Sequence, residues 1–346
     1  MPKEPLVSAV IITYNQEKYI EQTIECALAQ KVNFPYEIII GEDCSTDKTR
    51  EICLRYQERY PDKIKVVTSS KNIGLLGNYY RAVLASHGKY IAVCAGDDYW
   101  HNPEKIQKQV KYLEENIKCG MVHSDENTLF EDTGEIIENY NQRSKIHSKI
   151  NNPKETLRLL FAGNYRIVAS SSMYRKYYFD NYFDIEELDA HGIVMEDMPL
   201  WLILAIHSQI HYIPESLVTR RVVQGSVSRQ AFEKKIALWQ SAYNCYLYFY
   251  EKYKDKLSDT NIDIKMIHRL FNFLMFRTAY KANRKKAAQS YYLEIINLAG
   301  DSYVRPIDRF RYYMTHIPFG IPIHNWLFGK YRHLYESITG IPQRDI

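Results

Sequence analysis

No run of 18 or more apolar residues occurs in this chain, so no transmembrane helix is expected. The amino terminus lacks a basic stretch leading into an apolar one, which argues against a secretory signal peptide. Cysteine is sparse and scattered: Cys26, Cys44, Cys53, Cys94, Cys119 and Cys245 form no CxxC pair. That spacing excludes a small disulfide framework and a zinc cluster, and points to reduced thiols in a cytoplasmic protein. Glycine and proline are few, 14 and 12 of 346 residues, which excludes collagen and low-complexity disorder. There is no HExxH, no GxGxxG after the first apolar run and no GxxxxGK[ST]. Zincin, dinucleotide-binding and P-loop chemistries are therefore set aside. Tyrosine, by contrast, is abundant, with 30 residues beside 13 Phe and 4 Trp. An apolar fraction of 46% and a charged fraction of 25% supply the core for one large domain or two ordinary ones.

Charge is unevenly placed. From Arg229 to the end, 19 Lys/Arg face 10 Asp/Glu, whereas residues 1–228 carry 26 against 31. A basic, Tyr-rich final third suits an anionic membrane surface, or it is a solvated helical face. The excess is too small for a dedicated nucleic-acid binder, so no nucleic acid is expected as partner.

The first 130 residues alternate two periodicities. Short apolar runs at Leu6–Ile12, Tyr36–Ile40, Lys63–Thr68, Tyr90–Ala95 and Gly120–Ser124 read as buried strands. Between them, Glu17–Gln30, Asp47–Tyr60, Gly74–Ser86 and a stretch opened by Asn102-Pro103 have helical spacing. The face of that last helix is Ile106, Val110, Leu113 and Ile117. This order predicts an α/β fold, a mostly parallel sheet with helices on both faces. Residues 126–152 read as a hairpin or mobile loop, and Ile167–Tyr174, Ile210–Ile213 and Leu217–Val222 as further strands. Pro199–His207 is an apolar helical run. From Gln230 the pattern is helical: Phe232–Tyr253, Ile262–Ala282, Lys285–Ala299 and a segment near Ile307–Thr315. Two regions are expected, 1–228 and a basic helical extension at 229–346, with the first dividing into halves at 125/126.

Ligands of open α/β sheets bind beyond the carboxyl ends of the strands. Here those ends carry Thr13-Tyr14-Asn15, then Glu42-Asp43-Cys44-Ser45-Thr46-Asp47, then Gly96-Asp97-Asp98-Tyr99-Trp100. Adjacent carboxylates at a strand end are costly unless something neutralises them. A divalent Mg or Mn cation, held by one or two carboxylates and the phosphates of a substrate, does so.

In order and spacing these segments resemble the family-two glycosyltransferases, which have the GT-A fold and use nucleotide-activated sugars. Ser8–Asn15 is similar to that family's opening strand, and Gly41–Thr49 to its Asp-Asp-Gly-Ser-Thr-Asp motif. Asn72 and Gly74 resemble its Asn-x-Gly, and Gly88–Trp100 its Asp-x-Asp region. Glu42 and Cys44 stand where the family has Asp and Gly. The resemblance implies a nucleotide-sugar site made of Thr13, Tyr14, Asn15, Glu42, Asp43, Asn72, Gly74, Arg81 and Asp97. Tyr14 would stack on the base. Asp43 would accept a ring N–H, favouring uracil, unless it is a turn carboxylate. Arg81 would meet the diphosphate or base. Asp97 would face the ribose or sugar, and Asp98, with Asp97, would hold the metal.

Met195–Pro199 resembles the Glu-Asp element that holds the catalytic base of inverting members. Asp197 is then the base and Glu196 the fallback, although a carboxylate there is also a good helix cap. Thr219–Arg229 is similar to a Tyr-Arg-x-His-x-Gly-Ser-x-Ser stretch, with Gln224 at or near the His position. Arg221, Ser226 and Ser228 are its candidate diphosphate clamps. On the acceptor side stand Asp125, unless it is simply a turn residue, Trp100 with Tyr99, for which core packing beneath the site is an equal reading, and His191, placed for the acceptor or the metal. The resemblance thus implies transfer from a nucleotide-sugar, UDP-linked by preference, to a hydroxyl of a glycan or lipid-linked glycan, with inversion. Cell-surface polysaccharide biosynthesis at the inner membrane face is the expected setting. The C-terminal region is left to a membrane contact, the acceptor site or a homodimer. Two rivals are a non-catalytic nucleotide-sugar or glycan-binding scaffold and a sugar nucleotidyltransferase. The latter lacks its Gly-rich loop after the first strand.

Overall fold

The computed structural model describes residues 4–143, 152–223, 232–300 and 304–326. The chain divides into two compact units, Met1–Leu160 with Tyr165–Gln224, and Phe161–Asn164 with Gly225–Ile346.

The first unit is built on eight strands: β1 (Val7–Thr13), β2 (Tyr36–Glu42), β3 (Ile64–Thr68), β4 (Tyr90–Ala95), β5 (Cys119–Phe130), β6 (Glu135–Ile137), β7 (Ser172–Arg175) and β8 (Gln209–Val222). Their order is β3-β2-β1-β4-β7-β5-β6, with β8 paired along the other edge of β5. Only β6 and β7 run against the rest among the described strands. The expected mostly parallel sheet is present. The strand expected at Ile167–Tyr174 begins only at Ser172, as β7; what the apolar runs did not show is its antiparallel insertion between β4 and β5.

Alternation along β1 sorts its side chains between two helical layers. Val7, Ala9 and Ile11 join one core with α1 (Ile20–Leu28), α2 (Thr49–Arg59) and α4 (Lys105–Glu115). On the opposite side, α3 (Gly74–Leu84) brings Asn78 and Ala82 within 3.0–3.1 Å of where a Gly41 side chain would begin, so a larger residue there would press on both. In α4, Ile106, Val110 and Leu113 are buried as read, but Ile117 lies beyond the helix and is 83% exposed. That helix begins two residues after Pro103, and Asn102 Oδ1 accepts the Glu104 N–H at 2.8 Å.

The hairpin expected after Asp125 exists as β5 and β6. The two short strands expected at Ile210–Ile213 and Leu217–Val222 are one strand, β8, whose pairing with β5 shifts register around Asp125. Such a bulge bends the sheet and re-aims the following residues. Between β6 and β8 lie α5 (Pro153–Phe161), α6 (Lys176–Tyr182), α7 (Ile185–Ala190) and α8 (Asp197–His207).

The second unit is helical: α9 (Phe232–Lys252), α10 (Lys254–Leu257), α11 (Ile264–Lys281), α12 (Lys285–Ala299) and α13 (Pro306–Met314). Its core gathers Phe276, Tyr280, Tyr292 and Met314. The tyrosines contribute apolar area and stacking, with the Tyr292 and Tyr312 rings 4.0 Å apart. No helix of the described residues is long and apolar enough to cross a membrane.

Candidate active site

The carboxyl ends of β1, β2 and β4 lie side by side because these strands are adjacent in register. Tyr14 leaves β1 with its ring 45% exposed, whereas Thr13 is buried with Oγ1 donating to Gln16 Oε1 at 2.8 Å. Asn15 adopts a left-handed backbone, φ 53°, which its short amide tolerates. Its Oδ1 accepts the Thr46 N–H and its own N–H donates to Ser45 Oγ, so the β1 and β2 turns brace each other.

Glu42 is fully buried, and its carboxylate accepts from Ser45 N at 2.6 Å, Arg50 Nε at 2.6 Å and Thr68 Oγ1 at 3.0 Å. Burial alone would raise its pKa, but these bonds outweigh it and hold it below the usual carboxylate range. The expected nucleotide contact is corrected to a bracing part, because this side chain faces the turn and not solvent. Asp43 is 3% exposed and takes the Ile73 and Gly74 N–H groups at 2.9 Å each. Asn72 Nδ2 donates to the Asp43 carbonyl at 3.1 Å. Gly74, at φ 80°, starts α3 in a conformation that a side chain would strain. Arg81 Nη2 reaches the Glu42 carbonyl at 3.0 Å and Asn78 Oδ1 at 2.6 Å, and its Nε is buried without a partner. The motif thus folds as one scaffold, with Asp43 as its capping carboxylate.

Beyond β4, Tyr99 and Thr219 exchange backbone hydrogen bonds, which brings the end of β8 over the Asp97–Asp98 turn. Asp98 is 4% exposed. Its Oδ2 accepts from Ser170 Oγ at 2.5 Å and its Oδ1 from Arg221 N at 2.8 Å. Burial, and then the neighbouring Asp97 charge, push its pKa up to about 7. Asp97 is only partly covered; burial raises its pKa, opposed by Arg221 and Arg220. Arg221 is sandwiched between the Tyr19 and Tyr99 rings, 5.1 and 4.6 Å from their centroids. It donates to Glu131 Oε1 at 2.8 Å, to the Asp97 carbonyl at 2.7 Å and to Gln22 Oε1. A guanidinium so committed is a brace for the turn, which corrects its expected part as a diphosphate clamp. Ser226, Ser228 and Gln224 lie outside the described residues.

Two acceptor-side expectations are also corrected. Trp100 is 2% exposed, with Nε1 donating to the Ser170 carbonyl at 2.9 Å, so it offers no face to a sugar. Asp125 is fully buried and accepts from the Glu126, Asn141 and Gln142 N–H groups, tying the loop after β6 to the β5 bulge. His191 caps α7 at its C-terminus, its Nδ1 donating to the Glu187 carbonyl at 2.7 Å.

Glu196 and Asp197 form a second acidic group at the start of α8. Asp197 Oδ1 accepts the Met198 N–H at 2.7 Å, while Glu196 Oε2 is buried with no partner. Their charges reach the phenol of Tyr79, which hydrogen-bonds Tyr174 on β7 at 2.5 Å. Burial raises both carboxyl pKa values, and with the Asp197 charge it takes Glu196 to about 8. Near neutrality Glu196 keeps its proton, and burial makes ionisation of Asp197 harder as well. The folded state binds the Glu196 proton more tightly than the unfolded chain does. The stability it confers is therefore complete below about pH 4 and lost as pH rises through about 8. Glu196→Gln removes that loss. Its melting temperature should exceed the native value by roughly 2–4 °C at pH 9 and by far less at pH 5, as scanning calorimetry would read.

No cluster of three metal-ligating side chains occurs among the described residues. One partly exposed carboxylate, Asp97, still fits a hard cation that takes its remaining oxygens from a diphosphate and water. Sequence reasoning missed Ser170, Glu131 and Gln22, which hold this turn through the 3-10 turn before β7, the β5–β6 turn and α1. None sits at a strand end or in a spaced motif.

The model of the family described as Glycosyl transferase family 2 matches residues 8–183. An uncharacterized protein of Mycobacterium tuberculosis is 32% identical over 235 residues, 68% of this chain and 64% of its own length. The match thus spans under two thirds of that relative. A putative teichuronic acid biosynthesis glycosyltransferase of Bacillus subtilis is 37% identical over 112 residues, 32% of this chain and 43% of that one. Among solved structures, a Pyrobaculum calidifontis mannosyltransferase in complex with GDP-Man and Mn2+ superposes with a TM-score of 0.54 at 14% identity. The alignment covers 94% of this chain and 88% of that one. Staphylococcus aureus TarS 1-349 in complex with UDP-GlcNAc gives 0.51 at 15%, covering 86% and 91%. At these identities the likeness is one of fold, and it is the GT-A fold. With its family matched over half its length and its fold shared with nucleotide-sugar-bound structures, the chain belongs to glycosyl transferase family 2.

Proposed function

We propose that this protein transfers a sugar from a nucleotide-sugar to a hydroxyl of a glycan or lipid-linked glycan, with inversion, in cell-surface polysaccharide biosynthesis. The observation that carries the reading is two acidic groups on separate elements: Asp97, a partly exposed carboxylate on the braced turn after β4, and Glu196–Asp197 at the start of α8, whose ionisation burial disfavours. The Bacillus subtilis relative named for teichuronic acid biosynthesis supports the setting.

The exposed Tyr14 ring offers a stacking surface for the base, beside the scaffold that Asp43 holds together. Asp43 is an acceptor-only group, which suits a base with a ring N–H, uridine first. Asp97, in place of the buried Asp98, would hold a Mg or Mn ion. When bound, that ion neutralises charge on the leaving diphosphate. Asp98 orients the turn, with Ser170 and the Arg221 N–H fixing its two oxygens. Asp197 takes the proton of the attacking hydroxyl, with Glu196 protonated beside it. Release of UDP from a UDP-sugar that depends on added glycan acceptor tests the reading. Acceptor-independent binding with no release would favour the scaffold.

The second unit presents Phe310, Tyr313, Ile317, Phe319, Ile323 and Trp326, each 47–74% exposed, within one short stretch. Lys285 Nζ donates to the Ile317 carbonyl at 3.0 Å, placing positive charge beside them. Aromatic residues flanked by cations suit an anionic bilayer surface. Tyr313→Ser with Trp326→Ser should lower sedimentation with phosphatidylglycerol vesicles by about tenfold. Native-level, salt-insensitive binding would contradict the membrane contact.

A further inference from the structure

Beneath the Asp97–Asp98 turn lies an arrangement that the transfer reaction does not itself use. Ser170, Ser171 and Ser172 are consecutive and fully buried. Each of their carbonyls receives a hydrogen bond from a different side chain. Trp100 Nε1 donates to the Ser170 carbonyl at 2.9 Å, Gln109 Nε2 to that of Ser171 at 2.7 Å, and Lys105 Nζ to that of Ser172 at 3.4 Å. The three donors are also tied together. Lys105 Nζ donates to Gln109 Oε1 at 2.8 Å and lies 4.4 Å above the Trp100 ring. Lys105 and Gln109 are one turn apart on α4, both fully buried.

This is an expensive way to fill space. An ammonium withdrawn from water destabilises the fold unless it is well paired, and no carboxylate pairs with Lys105 among the described residues. Burial draws its pKa down to about 7. A methionine would occupy a similar volume without that cost. What the amine adds is geometric. The serine backbone that it helps to hold has one polar outlet towards the site, the Ser170 hydroxyl. That hydroxyl accepts the Ala95 N–H at 3.0 Å and donates to Asp98 Oδ2. Asp98 in turn fixes the Arg221 N–H, and the Arg221 side chain holds the Asp97 carbonyl.

We propose that Lys105, with Gln109 and Trp100, is a positioning residue that sets Ser170 and, through it, the Asp97–Asp98 turn in the geometry that donor binding requires. It touches no substrate, and its effect on catalysis rests on the reading of Asp97 given above. The test uses the full chain with Lys105→Met and Gln109→Met. Hydrogen exchange of the backbone amides at 95–101 and 168–175 should quicken by about tenfold, while 36–42 is unchanged. Donor KM should rise by about tenfold, in the range typical of lost outer-shell support. The Lys105→Met melting temperature should hold or rise. Unchanged exchange overturns the proposal, and so does faster exchange with native donor KM. A lower melting temperature with native KM per folded molecule marks Lys105 as merely structural, which also overturns it. If the native chain itself binds no donor, the functional reading fails, and the exchange experiment still decides whether Lys105 positions the turn.

Discussion

Asp197→Asn should lower the transfer rate by about 10³-fold, the usual loss for a general base, while leaving donor nucleotide binding close to native. The asparagine keeps the side-chain oxygen that accepts the Met198 N–H, so the start of α8 is preserved. What it loses is the basic group. Burial already disfavours ionisation of Asp197, and the amide cannot take up a proton there at all. Glu196→Gln separates the two roles, because it should retain most of the rate and remove only the stability loss at high pH. Rate and nucleotide affinity measured on the same preparation check this. A normal rate for Asp197→Asn would show that the base lies elsewhere.

Asp97→Ala should weaken metal-dependent donor binding by about 100-fold, the upper range for disturbed metal sites. The fold should survive, because Asp97 contributes its carbonyl to Arg221 and its carboxylate is partly exposed. Asp98→Ala should behave differently. Its carboxylate joins Ser170 and Arg221 inside the protein, so removal leaves buried donors unsatisfied, at roughly 1–3 kcal/mol each. The signature that separates them is a lower melting temperature for Asp98→Ala and a native one for Asp97→Ala. Equal melting losses would show that both carboxylates are structural.

The contrast between these neighbours shows what the sequence revealed and what it hid. Short continuous apolar runs with helices between them carried the sheet, since burial on both faces leaves a run such as Ala9–Ile11. The strand-end motifs located the site because open α/β sheets place ligands there. Which carboxylate faces outward is decided by Ser170, just before β7, and by Arg221 on β8, which meet the turn from 72 and 123 residues downstream. A single sequence carries no local sign of such contacts. Trp100 and Asp125 were left between two readings for the same reason: a polar or aromatic residue at a strand end fits a site or the interior until its partners, Ser170 and the Asn141–Gln142 backbone, are in place. Arg221 was legible as a cation near the phosphates, but not as one sandwiched between two tyrosines.

A divalent ion and a nucleotide should meet at Asp97. Calorimetric titration of UDP, GDP and CDP into the native chain, with Mn²⁺ and then with a chelator, decides this. UDP binding should appear with Mn²⁺, disappear on chelation and be lost in Asp97→Ala. Binding that is unchanged by the chelator, or no nucleotide binding in any condition, would contradict it.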